Sequence, residues 1–264
     1  MCFCRANIGK ILHIERKYGE NNCPIMLKSE NNAYLCTMKE ALDIVIDRYV
    51  PIDENSQVKL HLLVADVSPL MEDGDFQSEL LPSLSEKRRL KVETMSNNRS
   101  RALSIGVTLL LDRLLREQGL CESAMKYMEG EHGKLYEATG RVVFNLSHSG
   151  RMAAAATLLS SSFLLLSSIS LGLDIQHVTR YRPELVRRIF SASQREQLAE
   201  CKDETQRQRL FTHLWCRAEA YAKATGDGLQ WPLPSPQIGS HFIDFEVGEG
   251  YCGSCCIIKE CIKS

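Results

Sequence analysis

From Met152 to Leu173 the chain carries no charged residue. A stretch of that length either crosses a bilayer or lies inside a folded core. Ser160, Ser161, Ser162, Ser167, Ser168 and Ser170 interrupt it, and no cluster of Lys or Arg flanks it to fix a membrane topology. Two apolar runs, Met152–Leu159 and Phe163–Leu166, stand on either side of the serine triplet. The pattern therefore predicts a buried strand–turn–strand unit rather than a membrane span.

The rest of the composition is that of a globular protein: 264 residues, 25% charged and 44% hydrophobic, enough for one large domain or two lobes. A formal net charge of -1 argues against gripping nucleic acid through bulk charge. Any polyanion must meet a local basic cluster. Eleven cysteines, an odd number, do not suit a fully paired disulfide framework. The first residues, MCFCRANIGKILHIERKYGE, lack the long apolar core of a secretory signal. The expectation is a cytoplasmic protein with reduced thiols. Cys252-x-x-Cys255 invites a zinc or redox reading, but it has no second pair, and GYCGSCCIIK reads as a terminal strand.

Along the chain, Asn31–Tyr49 has helical spacing, and Cys23–Leu27 reads as a short strand. Gln57–Val67 is apolar enough for a buried strand. Ser83 or Ser85 is expected to cap a helix opening at Glu86, followed by the basic run Lys87, Arg88, Arg89 and Lys91. Asn97–Arg101 then leads into a long apolar helix from Ala102 to Gln118, ending at Gly119. Arg99 and Arg101 sit where that helix begins, a natural place for anion contacts. Arg141–Asn145 predicts a strand running into Leu146–Gly150, and Ser168–Gln176 predicts another. Arg182–Phe190 and Ser193–Glu200 read as helices, and His241–Val247 and Tyr251–Lys259 as strands.

Phe211–Gly228 (FTHLWCRAEAYAKATGDG) predicts one helix, with Gly226 as its C-cap. Glu219 and Lys223, four residues apart, fall on one face about a turn from each other. Alone, such a pair is a surface salt bridge. Together with Lys134, His148, Asp174 and Gln176, all beside turns or on short strands, it acquires a chemical meaning. Two carboxylates plus water suit Mg²⁺, while two lysines and a histidine suit phosphate oxygens. The implied chemistry is phosphoryl-type transfer from a diphosphate donor.

Three blocks in order, FNLSHSG (Phe144–Gly150), GLDIQ (Gly172–Gln176) and LWCRAEAYAKATGDGL (Leu214–Leu229), resemble the signatures of the Sfp-type 4'-phosphopantetheinyl transferases. In that family the blocks run approximately FN(I/L)SHS, G(I/V)D(I/V)E and W-x-x-KE(A/S)-x-x-K-x-x-G. His132-Gly133-Lys134 looks like the family's GKP element, with Leu135 in place of proline. Ser85–Arg113 looks like its basic N-terminal helix pair. The resemblance runs from about Val58 to Lys259.

It implies an α/β (α+β) fold of two pseudo-twofold lobes, each a small sheet packed with helices: 58–168 the first, 169–264 the second, with 1–57 an unassigned part of the first. Coenzyme A would bind between the lobes. The implied reaction moves 4'-phosphopantetheine onto a serine of an apo acyl or peptidyl carrier protein and releases 3',5'-ADP, with Mg²⁺ as cofactor. The resemblance gives Asp174, Glu219 and Gln176 to the metal, and Glu219 also to the carrier serine as base. Lys223 would hold phosphate, and His148, with Ser147 beside it, would meet the pyrophosphate. Lys134, Arg99 and Arg101, or Ser104, would meet the nucleotide end. The expected protein is a monomer serving nonribosomal peptide or polyketide synthesis, with no nucleic-acid or membrane partner.

Two residues depart from the pattern. Gln176 replaces a glutamate, so the third metal position is neutral. Ala218 replaces a lysine, and Arg217, pointing about 100° away around the helix, is not an obvious stand-in. These departures motivate an alternative, a non-catalytic module of the same fold that binds carrier proteins.

Overall fold

The computed structural model describes residues 41–52, 57–160, 162–230, 236, 239–248 and 250–259. Strands β1 (Asp43–Pro51) and β2 (Val58–Asp66) lead into helices α1 (Ser68–Glu72), α2 (Gly74–Leu80), α3 (Glu86–Glu93) and α4 (Asn98–Arg116). A hairpin of β3 (Tyr127–Glu129) and β4 (Leu135–Glu137) precedes β5 (Phe144–Ser149) and β6 (Met152–Ser160). The short helix α5 (Phe163–Leu166) and β7 (Ile169–His177) follow, then α6 (Pro183–Ile189), α7 (Ala192–Ala199) and the long α8 (Glu204–Thr225). Strands β8 (Ser240–Val247) and β9 (Tyr251–Lys259) complete the described chain.

Helices thus mix with small sheets, an α+β architecture. The strands order as β1-β2-β6-β5, β3-β4 and β7-β9-β8. The described residues separate into two compact units, one formed by those within 41–47, 63–127 and 151–153, the other by those within 48–62, 128–150 and 154–259. In the first, α4 is the central element, with Ile105, Leu110, Leu111, Leu114 and Leu115 fully buried. Its N-cap Asn97 accepts from the Ser100 amide, and Gly119 closes its C-terminal end at φ 71°. Ser85 does precede α3, but its hydroxyl donates to Glu122 instead of capping the helix. That contact belongs to a buried group in which Glu122 also accepts from Tyr127.

The second unit holds the antiparallel sheet β7-β9-β8, crossed by α8. Helices α6 and α7 pack beside α8 through Val186, Ile189, Phe190, Leu198, Phe211 and Leu214. One register row joins Asp174 on β7, Ser254 on β9 and Asp244 on β8. Both ends of that row are acidic, and α8 carries a cation to each.

Three expectations change. The helical spacing read through Tyr49 gives way to a strand over Asp43–Pro51, where Ile44 and Ile46 are half-buried between exposed neighbours. There the β-branched residues and their period of two prevail over the apolar i, i+3 coincidence. The part of that expectation over 31–40, and the strand over Cys23–Leu27, lie outside the described residues. Met152–Ser160 is a strand as expected, whereas Phe163–Leu166 is a helical turn. The long helix opens at Glu204, a full turn and more before Phe211, because Asp203 caps it by accepting from the Gln206 amide. Among the described residues no helix is long and apolar enough to cross a membrane.

Candidate active site

The site is assembled from β5, β7 and α8, all in the second unit. Strand β7 pairs with β9 on one side only, which leaves its other row of amides without a ladder partner. The side chains of β5 fill that role. Asn145 accepts from the Leu173 amide at 3.0 Å, Ser147 from Ile175 at 3.3 Å and Ser149 from His177 at 3.0 Å. Alternate residues of a strand share a face, so the polar spacing Asn-x-Ser-x-Ser is what seals this edge. His148 falls on the opposite face of β5 and is exposed.

Gly172 sets the approach of the helix. A Cβ added there would come within 1.9 Å of the Ala220 carbonyl oxygen and 2.5 Å of the Ala224 amide. Helix α8 therefore rests its backbone on β7 at Ala220 and Ala224. The residues one step earlier, Glu219 and Lys223, are carried beside Asp174, two positions along the strand from Gly172.

Asp174 is 2% exposed. Its Oδ1 accepts from Lys223 Nζ at 2.7 Å and from the Ser147 hydroxyl at 2.9 Å, and its Oδ2 from the Gln176 amide at 3.1 Å. Lys223 also donates to Ser147 Oγ at 3.1 Å and to the Leu173 carbonyl at 3.0 Å. An ammonium has three hydrogens, and all three are engaged here. Gln176 is held at its other end by Ser149, which donates to Oε1 at 3.3 Å. Burial, and then the charge of Asp174, push the Glu219 carboxyl above the ordinary glutamate range, while Lys223 pulls it back. Glu219, its proton affinity raised beside Asp174, is stabilised in its charged form by an added cation. Asp174, Glu219 and the Gln176 amide oxygen are hard oxygen donors of the kind Mg²⁺ takes, with water and substrate phosphate completing the shell. No group of three acidic, histidine or cysteine ligands occurs among the described residues.

Lys134 lies at the C-terminal end of α8, next to the turn that carries Lys223. Its ammonium donates to the Ala224 carbonyl at 2.8 Å and sits 5.1 Å from the centre of the Tyr136 ring. Burial lowers its pKa to about 8, against a smaller opposing effect from Cys256. Gly226, the αL residue that ends α8 at φ 82°, passes directly under Tyr136. Arg99, Arg101 and Ser104, all on α4, belong to the first unit, the arginines exposed and half-buried and the serine buried. Cys252 and Cys255 lie on β9 an odd number of residues apart and so point to opposite faces. Both thiols are raised by burial, Cys252 to about 11, which leaves them protonated and poor ligands.

Sequence reasoning missed a second centre on α8. Arg217 Nε reaches both carboxylate oxygens of Asp244 at 3.1 Å, and Nη2 bonds the same group. Ser254 donates to Asp244 at 2.9 Å, and His213 lies 3.5 Å away. Burial would raise Asp244, but these hydrogen bonds, led by His213 and Arg217, outweigh it and hold the carboxyl well below the usual range. Beside this pair a cavity of about 410 Å³ opens on the flank of α8, walled by Phe190, Leu214, Arg217, Ala218, Tyr221 and Phe242 among others. Arg217 and Asp244 are 27 positions apart and no periodicity links them. No signal in the sequence pairs them.

The fold and site define a class: an α+β protein with a buried acid–lysine centre suited to oxyanion chemistry. Residues 170–259 match the model of the 4'-phosphopantetheinyl transferase superfamily. The chain is 34% identical over 94 residues to the 4'-phosphopantetheinyl transferase HetI of Nostoc sp. (strain PCC 7120 / SAG 25.82 / UTEX 2576), covering 35% of this chain and 36% of that protein. It is 33% identical over 92 residues to the 4'-phosphopantetheinyl transferase psf-1 of Bacillus pumilus, covering 35% of each. The chain thus matches about a third of the length of these relatives.

Proposed function

We propose that this protein transfers 4'-phosphopantetheine from coenzyme A to a serine of an apo acyl or peptidyl carrier protein, releasing 3',5'-ADP. The observation that carries the reading is Asp174, buried and held by Lys223, Ser147 and Gln176, with the proton-hungry Glu219 alongside. Asp174, Gln176, Glu219 and Lys223 all lie on the segment that matches the transferase superfamily. The lobe boundary at 168/169 is proposed on the same ground, since the matched segment begins at residue 170.

The carrier serine is weakly nucleophilic until it loses its proton. Glu219, with its raised affinity, takes that proton as the serine oxygen forms a bond to the phosphorus bearing the pantetheine. The bond from that phosphorus to the bridging oxygen breaks, and 3',5'-ADP leaves with the electron pair. Lys223 supplies fixed positive charge as the leaving oxygen becomes anionic, and contact with phosphate requires it to exchange one of its three present bonds. Asp174, Glu219 and Gln176 would hold Mg²⁺, which when bound neutralises pyrophosphate charge. His148, exposed on β5, is proposed as a donor to the pyrophosphate. Ser147 keeps Asp174 and Lys223 in register. Lys134, Arg99 and Arg101 are proposed to meet the nucleotide end. A cytoplasmic monomer serving peptide or polyketide assembly is the proposed setting.

The test is incubation with coenzyme A, Mg²⁺ and several apo carrier proteins, followed by intact mass. The expected result is a mass gain of one phosphopantetheine, and Glu219→Gln should lower the rate roughly 10²- to 10⁴-fold with the fold intact. Carrier binding with no mass gain on any carrier would favour the non-catalytic module instead.

A further inference from the structure

The cavity on the flank of α8 has Arg217 as the one basic residue of its described lining and Asp227 as the one acidic residue. The guanidinium is fixed from two sides. Asp244 takes Nε and Nη2, and the Phe242 ring lies 5.3 Å beneath the guanidinium carbon. Asp244 is fixed in turn by Ser254 at the centre of the row that begins at Asp174. A guanidinium has five N–H groups, and Asp244 engages the Nε hydrogen and one on Nη2. The other three have no protein partner among the described residues, while the side chain is 43% exposed in the cavity wall.

The charge of Arg217 is already balanced by Asp244, and Asp227 adds a negative rim. A site of that kind offers directed hydrogen bonds with little net positive charge, which suits a neutral carbonyl oxygen better than a full anion. The remaining wall is mixed, with Ile189, Phe190, Leu214 and Phe242 beside Ser191, Gln194, Thr225 and Gln230, and the small Ala218 and Ala222 keep the flank of α8 open. The occupant is therefore a slender chain of mixed character, with apolar stretches and amide groups, that offers a carbonyl to Arg217.

We infer that Arg217, positioned by Asp244, is a specificity-determining residue that donates to an amide carbonyl of the pantetheine arm of the donor. The inference rests on the transferase reading. On that reading Arg217 supplies from one helix position earlier a cationic donor that Ala218 lacks, and Asp244 acts through it as a positioning residue.

Calorimetry in the presence of Mg²⁺ with two ligands tests this: coenzyme A, which has the arm, and 3',5'-ADP, which does not. Arg217→Gln should weaken coenzyme A roughly ten-fold and leave 3',5'-ADP unchanged. Asp244→Asn should do the same more mildly, because it frees the guanidinium without removing it. Arg217→Lys keeps a charge beside Asp244 and so guards against loss of the fold, yet it lacks the planar fork and should still weaken coenzyme A selectively. Equal weakening of both ligands, or no change in either, would overturn the inference in favour of a purely structural ion pair. Wild-type protein that binds 3',5'-ADP and coenzyme A equally well would also overturn it, leaving the transferase reading intact. Binding of neither ligand would overturn that reading and this inference together.

Discussion

Lys223 directs all three ammonium hydrogens into the protein, to Asp174, Ser147 and the Leu173 carbonyl. Its observed role is to let a carboxylate remain buried at 2% exposure, since an unpaired charge at that depth costs several kcal/mol. Lys134 is a contrasting lysine. It reaches a carbonyl at a helix C-terminus, a favourable place for a cation, yet burial without a carboxylate brings its pKa down to about 8. The unfolded chain holds that proton up to about pH 10.4. Between these values folding releases a proton, so raising the pH favours the folded state across that window. Urea midpoints measured from pH 7.5 to 10.5 should therefore rise for wild type relative to Lys134→Met. Parallel curves for the two proteins would remove Lys134 as the source.

At the scale of elements, the site depends on how closely α8 lies on β7. Gly172 permits backbone contact, because a methyl group there would overlap the Ala220 carbonyl at 1.9 Å. Backbone cannot yield as a flexible side chain does. Gly172→Ala should cost roughly 3 kcal/mol by overpacking and should lower activity further by lifting Glu219 and Lys223 away from Asp174. Gly119→Ala is the control: nothing lies within 4 Å of its added Cβ, so only the left-handed φ of 71° is penalised, by about 1–2 kcal/mol. Denaturant midpoints compare the two, and equal losses would refute the close-approach argument. The β5 edge is a second device of this scale, in which side chains of Asn145, Ser147 and Ser149 stand where another strand's carbonyls would otherwise be.

At the scale of the whole molecule, two units are built from interleaved segments, and the acid–lysine centre belongs to the one that ends the chain. If coenzyme A binds the native state alone, saturation at a hundred times its dissociation constant adds about 2.7 kcal/mol. For a protein of this size that raises the melting temperature by roughly 5–10 °C. Thermal scans with coenzyme A and Mg²⁺ should register the rise, and its absence at saturating concentrations would count against the site. The signature blocks were readable beforehand because each meets a local demand. Alternating polar residues seal an edge, a glycine admits a helix backbone, and a glycine at positive φ ends one. Asp43–Pro51 and Phe163–Leu166 were misread because short apolar runs satisfy helical and strand spacing alike, and neighbouring elements decide between them.

The sequence alone determined the set of reactive groups and the elements that carry them. Glu219 and Lys223 share a helix face, and Asp174 and Gln176 share a strand face, through backbone geometry that any chain obeys. Tertiary structure decided which groups meet. It joined Lys223 to Asp174 across 49 positions and Arg217 to Asp244 across 27. It also left His148 on the outward face of β5. Those pairings follow from how α8 crosses the sheet, and no local periodicity encodes a crossing.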